Sequence, residues 1–124
     1  MPTDTLDRPG QQSGGRSAPP PLAVVVAYVE AHAREPLTPQ ELARVGCMSV
    51  RTLHASFRQA LGETPMSYLR RVRLDRVREE LLRGNPARVR VTDVATAWGF
   101  CHQSRFAQQY RDRFGELPSR TLRS

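Results

Sequence analysis

Arg51, His54, Ala55 and Arg58 fall at i, i+3, i+4 and i+7, the spacing that places side chains on one face of a helix. A guanidinium fork, an imidazole and a small apolar group on one narrow stripe offer hydrogen-bond donors to an acceptor-rich edge and leave room for close approach. Ser104, Ala107, Gln108 and Arg111 repeat that spacing 53 residues later, with Gln103 at the leading end. The pattern is one of recognition rather than bond breaking. No Ser-His-Asp or Cys-His-Asn set and no glycine-rich phosphate loop is legible, so an enzyme is not expected. Cys47, His54, Cys101 and His102 match no zinc spacing, and adjacent Cys101 and His102 cannot easily chelate one ion from a helix. No metal or other cofactor is expected, and no small-molecule site is visible.

The charge balance says what kind of partner such stripes meet. All 19 cationic residues of the 124 are arginine, against 12 acids, for a net charge of +7. Residues 1–43 hold 3 arginines and 5 acids, whereas residues 44–124 hold 16 arginines and 7 acids. The net +9 of the second region points to a polyanion, most often nucleic acid. No run approaches 18 apolar residues, so no membrane span is expected. Two cysteines far apart do not make a disulfide framework and fit a reducing cytoplasm.

The stripes need helices to carry them, and almost everything from Leu22 onward reads as helix. Residues 1–21 are rich in Pro, Gly, Ser, Gln and Thr and read as a disordered tail or linker. Leu22, Val25, Val26, Val29 and Ala33 form one apolar stripe that Pro36 ends. Thr38 and Glu41 make a capping box around Pro39, with Leu37 and Leu42 as a hydrophobic staple. Gly46 and Cys47 break that short helix. Ser49 caps the next, with Met48 and Leu53 as its staple, and Leu53 and Phe57 face the core. Pro65 opens a helix to about Arg83. Its apolar Leu69, Val72, Leu74, Val77, Leu81 and Leu82 are expected on one buried side. Arg70, Arg71, Arg73, Arg76 and Arg78 ring the rest, either as a solvated face paired with Asp75, Glu79 and Glu80 or as part of the basic surface. Gly84-Asn85-Pro86 stops it. Val91–Ala97 is a short helix, Gly99 turns the chain, and a further helix runs from about Gln103 to Arg113. Trp98 and Phe100 read as core beside Gly99. No strand alternation appears, so the class is all-α.

Residues 57–70 align on residues 110–123 with six identities: Arg58/Arg111, Gly62/Gly115, Glu63/Glu116, Pro65/Pro118, Leu69/Leu122 and Arg70/Arg123. Upstream, Leu42-Ala43 matches Val94-Ala95. Each copy is a short helix, a tight turn and a second helix, which is a helix-turn-helix occurring twice. The first spans about residues 37–61, the second about 91–114, and the helix over residues 65–83 links them. Ala43 and Ala95 are small where two helices cross, and the turns near Gly46 and Gly99 need a permissive backbone. An exposed polar stripe on the second helix of such a unit is what a DNA major groove accepts. The linking helix is roughly 28 Å long at 1.5 Å per residue, close to the ~34 Å of one DNA turn.

From about Leu22 to Arg123 the chain resembles the DNA-binding domain of AraC/XylS transcription regulators. The resemblance rests on LTPQELA, on SVRTLHASFRQALGETPMSYLRRVRLDRVREELL, on VTDVATAWGF and on SRFAQQYRDRFGELP. It implies a cytoplasmic regulator, usually an activator, with double-stranded promoter DNA and RNA polymerase as partners. By position it implies base reading by Arg51, His54 and Ala55 and by Gln103, Ser104, Ala107 and Gln108. Arg58, Arg105 and Arg111 are the phosphate candidates. Cys47 stands where the family's first turn usually has glycine, His102 where an Asp or Ser cap is common, and Gln108 where Arg is frequent. Two other classes suit a basic helical chain: an auxiliary DNA-binding module of a larger protein such as a DNA-repair methyltransferase, and a protein-interaction module.

Overall fold

A computed structural model of the chain describes residues 20–124. The tail expected over residues 1–21 lies outside the described residues as far as position 19, and Pro20 and Pro21 are already helical. α1 (Pro20–His32) thus starts before the apolar stripe does. Proline suits a first helical turn because the N–H it lacks has no partner there. The other helices are α2 (Pro39–Val45), α3 (Val50–Leu61), α4 (Pro65–Arg83), α5 (Val91–Ala97), α6 (Gln103–Phe114) and α7 (Pro118–Arg123). Among the described residues there is no strand, as the all-α expectation requires. α7 is not among the helices expected from the sequence, although Pro118 pairs in the repeat with the Pro65 that opens α4.

Local chemistry sets the helix starts. Thr38 Oγ1 accepts from the Glu41 amide at 3.1 Å, and Glu41 Oε1 accepts from the Thr38 amide at 3.0 Å, closing the capping box. Ser49 caps α3 through the Thr52 amide at 3.1 Å, and Thr64 caps α4 through the Ser67 amide at the same distance.

Two hydrophobic cores form. Leu22, Val25, Val29, Leu42, Ala43, Leu53 and Phe57 close the first with Tyr68, Leu69 and Val72 of α4. Leu74, Val77 and Leu81 of α4 close the second with Val94, Ala95, Phe106, Tyr110 and Leu122. At 100° per residue, the α4 side chains of the two cores point roughly 160° apart. The single buried side expected for α4 is therefore two stripes on nearly opposite faces, one per half. Leu82 belongs to neither and is 54% exposed, because Leu81 beside it takes the inward position.

Three arginines of α4, Arg71, Arg73 and Arg78, find partners outside the helix. Arg71 grips Glu63 with Nε and Nη2 at 3.1 and 2.5 Å. Arg78 lies over the Phe114 ring, 4.9 Å from its centroid, and 3.8 Å from Glu116. Asp75 pairs with Arg113 of α6 at 2.7 and 3.1 Å. Arg73 donates to the carbonyls of Ala33 and Glu35 just beyond α1, both at 2.6 Å. Its burial pulls the guanidinium pKa down from its ordinary value, yet it stays charged at neutral pH.

The turns of the two copies carry the same hydrogen bonds. Met48 N–H donates to Ala43 O at 2.9 Å and Cys47 N–H to Arg44 O at 3.0 Å. Phe100 N–H donates to Ala95 O, and Gly99 N–H to Thr96 O, both at 3.0 Å. Each pair is a Schellman motif, whose pivotal residue is left-handed. That residue is Gly99 (φ 92°) in the second copy and Cys47 (φ 54°) in the first. Gly46, expected as the permissive position, has an ordinary φ of −88°. It is glycine for space, since a Cβ there would meet Val25 Cγ2 and Met48 Cε at 2.7 Å. A left-handed non-glycine residue costs about 1–2 kcal/mol, and Cys47 is exposed, so glycine there would forfeit little packing. Cys47→Gly is expected to stabilise the fold by about 1 kcal/mol after the extra chain entropy of glycine. Thermal melting should rise by about 4 °C; an unchanged or lower midpoint would contradict the strain.

Tyr68, 5.8 Å from the Phe57 ring, donates its hydroxyl to Glu30 of α1 at 2.7 Å. Burial first, and then the neighbouring Glu30 carboxylate, push its pKa up to about 12. In the unfolded chain the phenol titrates near 10. The folded state holds this proton more tightly, so the stabilisation is full below pH 10 and is lost as pH rises through 12. Melting temperatures are expected to fall across that window, and to fall less steeply in Tyr68→Phe. Tyr110, also raised by burial, retains part of the slope. Equal slopes in the two proteins would remove Tyr68 from the account.

Candidate nucleic-acid interface

α3 and α6 carry the repeated stripe because their opposite faces are committed to the cores. Leu53 and Phe57 are fully buried in one, Phe106 and Tyr110 in the other. Each ends on a left-handed glycine, Gly62 or Gly115. Below α6, Tyr110 donates to Thr121 Oγ1 at 2.7 Å in the core, and Thr121 donates in turn to Glu116. That chain seats α6 on α7.

Of the residues expected to face outward on α3, Arg51, Ala55 and Arg58 are exposed and His54 is half-buried. His54 Nδ1 lies 3.0 Å from the Val50 carbonyl, which can only accept. The proton is therefore on Nδ1, and Nε2 is left for a partner. On α6, Ser104, Arg105, Gln108 and Arg111 are exposed, while Gln103 and Ala107 are half-buried. Gln103 Nε2 donates to Phe100 O at 3.4 Å, beside the start of the helix. Gln108 Nε2 donates to Asp112 Oδ1 at 2.8 Å. To offer both amide atoms to one edge, Gln108 must leave that carboxylate.

Electrostatics separates these arginines from the rest. Arg71, Arg73, Arg78 and Arg113 are held by carboxylates, carbonyls or rings within the fold. Among the described residues no ion pair holds Arg51, Arg58, Arg105 or Arg111. Between α4 and α6 lies a cleft of about 250 Å³ floored by Met66, Phe100 and Phe106, with Arg70, Arg105 and His102 on its walls. Arg70, which the sequence leaves open between a solvated face and the basic surface, is exposed. It falls on the α4 face that is buried only in the other half of the helix, so a charged residue there was the available signal. Trp98 and Phe100 pack against the core beside Gly99, as expected, but are only half-buried; Phe100 lies 4.9 Å from the Phe106 ring. Among the described residues no His, Cys, Asp and Glu group could hold a metal, and no helix is long and apolar enough to cross a membrane.

Two helix-turn-helix units joined by one helix, each with an exposed polar stripe on its second helix, define a nucleic-acid-binding architecture. Comparison with known proteins places it further. A family model described as a helix-turn-helix domain matches residues 42–124. The probable thc operon regulatory protein of Rhodococcus erythropolis is 45% identical over 103 residues, 83% of this chain and 31% of that protein. The XylDLEGF operon transcriptional activator 2 of Pseudomonas putida is 36% identical over 119 residues, 96% of this chain and 76% of that one. A probable AraC family transcriptional regulator from Rhodopseudomonas palustris CGA009 superposes with a TM-score of 0.77 at 35% identity, covering 83% of this chain and 94% of that one. The DNA-binding domain of AdpA, a global transcriptional factor solved in complex with a target DNA, superposes at 0.73 with 28% identity over 83% of this chain and 90% of that one. The chain belongs to the AraC/XylS family of transcription regulators. It spans less than a third of the thc operon protein's length and corresponds to an AraC-type DNA-binding domain.

Proposed function

We propose that this chain is the DNA-binding part of a transcription activator, acting in the cytoplasm by laying α3 and α6 into successive major grooves of promoter DNA. The observation that carries the reading is the repeat itself: two equivalent exposed stripes on two helix-turn-helix units that share one 19-residue helix. Arg51, His54 and Ala55 read one half of the site, and Gln103, Ser104, Ala107 and Gln108 the other. Arg58, Arg105 and Arg111 hold phosphates. Support comes from the DNA complex of AdpA and from the operon activator of Pseudomonas putida. RNA polymerase is the second partner such an activator needs.

Because the two stripes differ in sequence and share one chain, one monomer covers an asymmetric site of about 20 base pairs. Selection from a pool of random duplexes tests this. The expected consensus has two unlike halves about one helical turn apart, bound by a monomer in sedimentation. A two-fold symmetric footprint with a dimer would overturn it, and no enrichment at all would favour a protein-interaction module.

A further inference from the structure

The two cores share α4 and little else. Among the described residues, no helix of the first core packs extensively on a helix of the second, α4 apart. The α4 burial changes face between Val72 and Leu74, so the first core holds the helix only as far as Val72 and the second only from Leu74 onward. With α4 as the helix common to both cores, any bend or twist at that changeover would swing one unit against the other. At that point stands Arg73. Its guanidinium makes two charge-assisted bonds to the end of α1, at Ala33 O and Glu35 O, each 2.6 Å. The same group lies against the turn of the second unit, where a Cβ on Gly99 would sit 3.2 Å from its Nη1. Next to Gly99, Trp98 packs against both cores. Its indole N–H donates to Glu80 of α4, and Arg34, just past α1, lies over its ring 5.0 Å from the centroid. The end of α1 is thus fastened to the second turn at two points.

We propose that Arg73 and Trp98 form a clasp that fixes the distance and rotational phase between α3 and α6, and so makes half-site spacing a determinant of which DNA is bound. The DNA part of this inference rests on the reading under Proposed function; the mechanical part does not. Both are positioning residues. One base pair more or less moves a half-site by about 3.4 Å and rotates it by about 34°. Reading helices held rigidly feel that change in full, whereas a bending linker absorbs it.

The chain carries its own probes. Its only two cysteines, Cys47 and Cys101, are exposed and precede α3 and α6. Nitroxides on both, read by pulsed electron resonance, should give one narrow distance distribution in the wild type. Arg73→Met with Trp98→Phe keeps the apolar bulk and should broaden it, with helix content retained. On the selected site with one base pair inserted or deleted between halves, the wild type should lose about tenfold or more and the double variant under about threefold. Base preference within each half should stay the same. An equally narrow distribution in the double variant overturns the clasp, and an unchanged spacing penalty overturns its role in DNA choice. Should the double variant unfold, Arg73→Lys gives the same comparison, since an ammonium cannot bridge both carbonyls as a planar fork does. If the wild type enriches no two-part site, the DNA reading falls with the spacing role, while the label distances still decide the clasp.

Discussion

Arg51→Ala is expected to weaken binding to the preferred site by about 10- to 100-fold, on the order of 1–3 kcal/mol, and to erase preference at a single position. Arg51 lies in the first turn of α3, the end that enters the groove, and its side chain is exposed. Its guanidinium can take guanine O6 and N7 together, which neither His54 nor Ala55 beside it can do. The first unit also has the better-built helix start: Ser49 caps α3, whereas His102 makes no side-chain cap on α6. It should supply the larger share of specificity. Binding-site selection with the variant discriminates base from phosphate contact. Weaker binding with an unchanged consensus would assign Arg51 to the backbone.

Affinity should fall steeply with salt. Residues 44–124 carry a net +9, and Arg58, Arg105 and Arg111 are exposed outside any ion pair among the described residues. If roughly five phosphates are neutralised, the logarithm of the affinity falls with a slope of about −4.5, so a fourfold rise in salt weakens binding roughly 500-fold. Arg58→Ala should reduce that slope by about 1 and weaken specific and random duplexes alike. Arg111→Ala, its equivalent in the repeat, should match it. Binding to random DNA that is unchanged in Arg58→Ala would take Arg58 out of the phosphate set.

What the sequence made legible is what short-range chemistry decides. Thr38 with Glu41, Ser49, and Pro65 mark helix starts because their partners lie within a turn. The outward stripes follow from Leu53, Phe57, Phe106 and Tyr110 facing in. Tertiary choices were not legible. Glu63 and Arg71 are eight residues apart, and Asp75 and Arg113 are 38 apart, so no local pattern pairs them. Leu82 fits a single buried stripe along α4, whereas the two halves of the helix bury nearly opposite faces and leave it exposed. Cys47 is left-handed because it holds the Schellman position that Gly99 holds in the second copy, while Gly46 is glycine for the close approach of Val25. α7 is not legible because its six residues hold too few turns for a period. In the site, the attachment of Gln108 to Asp112 depends on rotamers that spacing does not encode.

The division of α4 between two cores bears on how the chain assembles. The buried side chains of the first core come from residues 22–72 and those of the second from residues 74–122, with half-buried Trp98 touching both. Pairings this local favour folding in microseconds to milliseconds. Synthesis at about 5–20 residues per second is far slower. The first core can therefore close a few seconds before Leu122 is added. Its half of α4 is then already helical, and the remaining turns extend from an existing nucleus instead of starting a costly new one. The second half of the chain condenses onto a template that the first half has built.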